Sequence, residues 1–180
     1  MSHCAVMGLR IYRNAYFCDM PTYISELKEA VLEAFQKLTM VSEEAAAHRP
    51  AEGKWSPKEI IGHLIDSASN NHQRFVRAQF TKELVFDGYG QDDWVSAQHY
   101  QTANWHELLI LWRTFNLHLV HFMDNMPDEI RTQQRTVHNL HQIASAKVPE
   151  DLPTSLDYFM GDYVQHLQHH LRQIEELTGS

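Results

Sequence analysis

Residues 163–177 read YVQHLQHHLRQIEEL, and the spacing inside this stretch decides which fold and which chemistry to look for. Apolar residues recur every three or four positions from Leu156 through Phe159, Met160, Tyr163, Leu167 and Ile174 to Leu177, the period of an amphipathic helix. At about 100° per residue they form one stripe, with His170 near its centre and His166 at its edge. His169 points about 100° away and is expected to face outward. Two imidazoles one turn apart on a core-facing stripe need partners for their nitrogens. A single divalent ion can bind both.

A third histidine stands about a hundred residues upstream, in WSPKEIIGHLIDSASNNHQRF at 55–75. Ser56 as N-cap, Pro57 in the first helical position and Glu59 in a capping box give this helix a clear start, and it is expected to run to about Phe80. Ile60, Leu64, Ala68 and Phe75 form its core seam. Beside the seam lies a polar stripe of His63, Ser67, Asn70 and Arg74, at spacings of four, three and four. Such a stripe can line a pocket with His63 at its start, making Ser67, Asn70 and Arg74 pocket candidates. Arg74 fits two roles at this stage, pairing with an anionic substrate group or closing a salt bridge at the bundle edge. Asp66 lies further round the helix and could support a ligand from behind.

Two more segments carry helical periodicity. The first, about Thr22–Met40, aligns Ile24, Leu27, Val31, Phe35 and Leu38. The other, about Asn104–Met126, aligns Trp105, Leu108, Leu109, Trp112, Leu119 and Met123. Thr154 with Asp157 three residues later gives a weaker start for the last helix. Between the helices lie long loops at about 41–55, 81–103 and 127–153, the middle one with a short helical piece near 93–100. The expected architecture is all-α: a four-helix bundle, in which metal sites are commonly built between facing helices. Residues 21–180 read as one domain. Residues 1–20 read as an N-terminal extension with Met20 close to the natural start, or as a short arm on the bundle.

Composition narrows the function. With 180 residues, 43% hydrophobic and 21% charged, the chain has an ordinary globular balance. A formal net charge of −8 and no basic stripe exclude a nucleic-acid phosphate surface. No apolar run approaches the roughly 20 residues of a membrane span. The only cysteines, Cys4 and Cys18, make no disulfide framework, and the leading residues make a poor signal peptide, so a cytoplasmic location is expected.

The remaining histidines have weaker contexts. His118 and His121 lie opposite the stripe of their helix, and His72 lies away from the polar stripe of its own. His48, His99 and His106 fall near loops or helix ends. His138 and His141, three apart in an irregular segment, could bind a metal but nothing around them supports it. The chain has no HExxH, no Glu-x-x-His and no GxSxG nucleophile elbow. From spacing alone, the inward histidines are either metal ligands or hydrogen-bonded core residues.

The two quoted stretches, with GYGQDDWVSAQHY between them, resemble the DinB/YfiT-like superfamily over about Thr22–Leu177. The specific elements are Trp55–Ser56, His63–Leu64, and the His-x-x-His-His-x-x-Gln run ending at Gln173. The resemblance implies a four-helix bundle with one divalent metal, nickel, zinc or another, on three histidines. By motif these are His63, His166 and His170. It further implies a metal-dependent hydrolase or a low-molecular-weight thiol S-transferase acting on a small-molecule substrate, with a homodimer as one assembly. The alternative is a non-catalytic metal-binding bundle associated with stress.

Overall fold

Local caps fix where the long helices begin. In the computed structural model, which describes residues 21–179, the elements in order are α1 (Thr22–Leu38), α2 (Glu43–Ala47), α3 (Pro57–Ala78), α4 (Gln91–Ala97), α5 (Trp105–Asp124), α6 (Asp128–Thr132), α7 (Leu140–Ile143) and α8 (Leu156–Thr178). The expected extension over residues 1–20 lies outside the described residues. The capping box of α3 forms as its sequence implies: Ser56 Oγ accepts from Glu59 N, and Glu59 accepts from Ser56 N. Asn104 caps α5 by accepting from Glu107 N at 3.0 Å. At the start of α8 the cap is Ser155, accepting from Tyr158 N. Thr154 pairs instead with Arg135 through two backbone hydrogen bonds.

Several expected segments differ in detail. Helices α1, α3 and α5 each stop two residues before their expected ends. The loop at 41–55 contains α2, capped by Ser42, and the 127–153 connection contains α6 and α7. These pieces are too short to show a period. The helical piece expected near 93–100 is split: His99 adopts a left-handed φ of 53°, which ends α4 and starts a 3₁₀ turn over Tyr100–Thr102.

The four long helices form a bundle in which α1 and α3 stand diagonally, each packed against both α5 and α8. Contacts at the helix ends give the directions. Phe75 meets Phe159 and Tyr163 while His63 meets His166 and His170, so α3 and α8 are antiparallel. Tyr23 bonds Asp157 and Lys37 bonds Glu175, so α1 and α8 are parallel. Lys58 at the start of α3 bonds the Ala103 carbonyl just before α5, and His72 further along packs on Phe115, His118 and Phe122, so α5 is parallel to α3. The parallel neighbours α3 and α5 need a long crossover, which accounts for the connection before α5, and the connection before α8 joins α5 to the antiparallel helix diagonally across the bundle. The crossovers are tied to each other by Leu84 N to Val137 O, Asn139 N to Leu84 O, and Asn139's side chain on Phe86.

Helix α3 is the most deeply enclosed, buried over most of its length. Gly62 allows this, because a Cβ there would sit 2.1 Å from the ring of Tyr100. The Tyr100 hydroxyl then donates to Asp66 at 2.8 Å. Buried Lys58 bonds Glu43 and the Ala103 carbonyl, while Glu43 also accepts from Trp105 N. These contacts join α2, α3 and the start of α5.

Candidate metal centre

Antiparallel packing brings the early turns of α3 against the middle of α8. His63 Nε2 lies 3.3 Å from His166 Nε2, and His166 Nε2 lies 3.1 Å from His170 Nε2. One nitrogen from each ring falls within 4.8 Å of the others, and no other such cluster of three occurs among the described residues. His63 is wholly buried, with Trp55 tilted over its ring at 5.1 Å. His166 and His170 are half-buried.

The protons do not balance without a cation. His170 Nδ1 donates to Gln173 Oε1 at 2.7 Å, leaving a lone pair on Nε2. A proton on His166 Nε2 serves one neighbour and leaves the other facing it unserved. His63 Nδ1 is buried without a partner. Burial, with neighbouring imidazoles adding to it, pushes His63 down to about 3 and His166 down to about 4; burial also lowers His170. All three are therefore neutral at pH 7, the form that binds metal. Histidine nitrogens about 2.1 Å from a tetrahedral ion lie roughly 3.4 Å apart, so the donor set fits a divalent metal.

Two clefts reach the cluster. The first, about 160 Å³, ends at His166 and is mostly polar. Helix α3 gives it Ser67, Asn71 and Arg74, and α8 gives Phe159, Asp162 and Tyr163. The two crossovers supply Tyr89 and Gln142 among others. The second, about 610 Å³ and more apolar, is lined by Trp55, Ile60, Leu177, His170 and Gln173 among others.

Of the pocket candidates, Ser67 and Arg74 line the first cleft. Asn70 does not: it donates to the Asp66 carbonyl one turn back, and Asn71 takes the place facing the cleft. Among the described residues Arg74 makes no salt bridge at the bundle edge. It is buried, donates to the Asp87 carbonyl at 2.6 Å, and packs its guanidinium against Tyr89 at 5.9 Å. Nor does Asp66 support His63; it accepts from Tyr100 and Gln98 instead.

The other histidines fall elsewhere. His118, His121, His169, His48, His99 and His106 are exposed. His138 is a satisfied core residue: Nε2 donates to the Leu152 carbonyl at 2.8 Å and Nδ1 accepts from Leu140 N. That leaves it no lone pair for a metal shared with His141. Sequence reading missed the aromatic cover of Trp55, the crossover residue Tyr89, and Asp162. Trp55 and Tyr89 stood within the stretches that carry the family resemblance but without a role, and Asp162 carried a signal of spacing, since it stands one turn before His166 just as His166 stands one turn before His170.

A family model described as the DinB superfamily matches residues 23–174. The chain belongs to the DinB superfamily. Among solved structures this DinB chain is similar to YfiT from Bacillus subtilis, described as a probable metal-dependent hydrolase with an unusual four-helix bundle topology. The two share a TM-score of 0.71 and 19% sequence identity, over 88% of this chain and 85% of that one. At that identity the likeness carries the fold. No curated protein matches the chain.

Proposed function

We propose that this DinB-superfamily chain is a divalent-metal-dependent enzyme acting on a small molecule, with His63, His166 and His170 as the ligands. The observation that carries the reading is the convergence of three neutral imidazoles whose lone pairs have no common proton donor. Three nitrogen donors suit Zn²⁺, Ni²⁺, Co²⁺ or Fe²⁺. An ion so held, with positions left open, lowers the pKa of a bound water or thiol and polarises a carbonyl. Within that class the reaction is a hydrolysis or the transfer of a low-molecular-weight thiol.

The protein's own residues do the rest. Gln173 fixes the His170 ring by accepting from Nδ1, which keeps Nε2 free for coordination. Trp55 covers His63 and excludes water from one side. No fourth histidine, cysteine or carboxylate closes the cluster among the described residues, and clefts reach both His166 and His170. An enzyme needs such access, whereas a structural site is closed by four ligands. Two clefts of different polarity also suit two reacting partners, which favours thiol transfer over hydrolysis by water alone.

Metal analysis of the purified protein beside His63→Ala and His166→Ala tests the centre. One equivalent in the parent, lost from both variants, is the expected result. Full metal content in either variant overturns the ligand assignment. Thiol cosubstrates offered with reactive electrophiles then separate the two reactions: turnover that requires the thiol supports transfer, and turnover with water alone supports hydrolysis.

A further inference from the structure

The first cleft contains a buried positive charge that no salt bridge among the described residues holds. Arg74 is 8% exposed, and among the described residues no carboxylate lies within salt-bridge distance of it. Its protein partners are the Asp87 carbonyl at 2.6 Å, the Asn71 side chain at a long 3.4 Å, and the face of Tyr89. Burial works against its charge, so an unpaired guanidinium here is costly. The acids nearby make no ion pair with it. Asp162 lines the same cleft, but its two oxygens accept from Ser145 N at 3.0 Å and Ala146 N at 2.7 Å. Asp87 is exposed, accepts from Arg74 through its backbone carbonyl, and its carboxylate supports the charge only from beyond salt-bridge distance.

We infer that Arg74 is the anchor for a small oxyanion, a carboxylate or phosphate group carried by the substrate, whose remainder extends along the cleft toward His166. This assigns a substrate class to the site proposed above and so rests on that reading. A planar guanidinium with several free N–H groups is the side chain best shaped for a two-oxygen acceptor. Ser67 and Asn71 lie between Arg74 and the histidine end on the same helix face, and a cleft of about 160 Å³ limits the guest to a short molecule. Anchoring Tyr89, Asp87 and, at a long distance, Asn71 is a structural task for the same residue, but it uses one N–H of each terminal guanidinium nitrogen and one ring face. The remaining donors are available to a guest.

The test uses metal-free protein, so that anions cannot bind through the metal. Sodium malonate and inorganic phosphate are titrated calorimetrically at constant ionic strength, with chloride as the balancing salt. The parent is expected to bind at least one of them; malonate alone points to a carboxylate substrate and phosphate alone to a phosphorylated one. Arg74→Gln should weaken binding at least tenfold and Arg74→Lys by less, with thermal midpoints confirming that both fold. Should Arg74→Gln fail to fold, the parent's arginine side-chain NMR resonance that is missing from Arg74→Lys must shift on adding the bound anion. Absence of binding in the parent, or equal affinity in the parent and the folded variants, overturns the assignment. His63→Ala, which leaves the cleft intact, separates the two readings. Anion binding retained there, with metal lost, supports both. If the parent holds no metal yet binds the anion through Arg74, the centre fails and the anchor stands.

Discussion

The two halves of the α3–α8 seam are built on the same pair of antiparallel helices and end up with opposite properties. In one half Phe75 packs edge-on against Phe159 at 5.6 Å and Tyr163 at 6.1 Å, and the Tyr163 hydroxyl donates across the bundle to Asn116 at 2.5 Å. The Tyr163 hydroxyl and the Asn116 amide both have partners there. In the other half three imidazole nitrogens face each other, and His63 Nδ1 has no hydrogen-bond partner among the described residues. The difference lies in which side chains occupy equivalent turns, and it separates what holds the bundle together from what equips it to act. The aromatic half gives dispersion and burial; the histidine half forgoes some of that for a preformed donor set.

Substitutions that exchange the two properties can break this comparison. Phe75→Ala should lower stability by about 3–5 kcal/mol, the usual cost of emptying a buried aromatic site, while the protein that remains folded keeps its metal. His63→Phe should do the reverse. It replaces an unsatisfied polar ring with an apolar one of similar shape, so the metal-free protein should change by less than about 1 kcal/mol. The stabilisation by added metal, about 2.7 kcal/mol at a hundredfold excess over Kd, should vanish. Chemical denaturation of each variant with and without metal measures both. If Phe75→Ala abolishes metal binding in folded protein, or His63→Phe costs as much as Phe75→Ala, the seam is not divided in this way.

Which parts of this seam the sequence could reveal follows from how local each signal is. The capping box at Ser56–Glu59, the stripe on α8 and the inward phase of His63, His166 and His170 are all set within a few residues of one helix. So periodicity sufficed for the all-α bundle. The cleft was legible only on its α3 side, and there with an error of one position. Asn70 and Asn71 differ by 100° of helical phase, and which of them faces the cleft depends on how α3 sits against α8. Tyr89 and Gln142 arrive from crossovers that have no period, and Trp55 reaches His63 only because the loop before α3 folds back. The fate of Arg74 was undecidable for the same reason. Its partner is a carbonyl thirteen residues away, and backbone acceptors leave no trace in side-chain patterns.

A smaller effect tests how far α3 depends on its outer cover. Gly62 has room only for hydrogen, since a Cβ would meet the Tyr100 ring at 2.1 Å. Gly62→Ala gains helix propensity of about 1 kcal/mol, yet it must displace a ring that also holds Asp66. Overpacking of this kind costs about 1–3 kcal/mol, so a net loss of stability is expected. The neighbouring His63 should also shift. A fall in thermal midpoint accompanied by weaker metal binding is the expected outcome. A more stable variant with unchanged metal affinity would mean that Tyr100 moves aside freely and that the outer shell does not position the centre.

The smallest effect per step is the response to acid, and it distinguishes the halves without emptying either. The two halves have opposite stakes in protons, because Phe75 and Phe159 carry no titrating group whereas His63 and His166 take up protons near neutrality once the chain unfolds. Burial is the first cause holding His63 down to about 3 and His166 down to about 4. In the unfolded chain a histidine titrates near 6.5. Between these values the unfolded chain binds protons that the folded chain refuses, so unfolding takes up protons and stability rises with pH. The stabilising contribution is therefore complete above about pH 6.5 and is lost as the pH falls toward 4 and then 3. Each histidine that stays neutral contributes a slope of about 1.4 kcal/mol per pH unit. Denaturation of the metal-free protein from pH 7 to pH 4 should show this slope, and His63→Phe should reduce it by one histidine's share. An unchanged slope in that variant would mean that the acid sensitivity arises elsewhere in the bundle and that the histidine half is not where protons compete for the lone pairs.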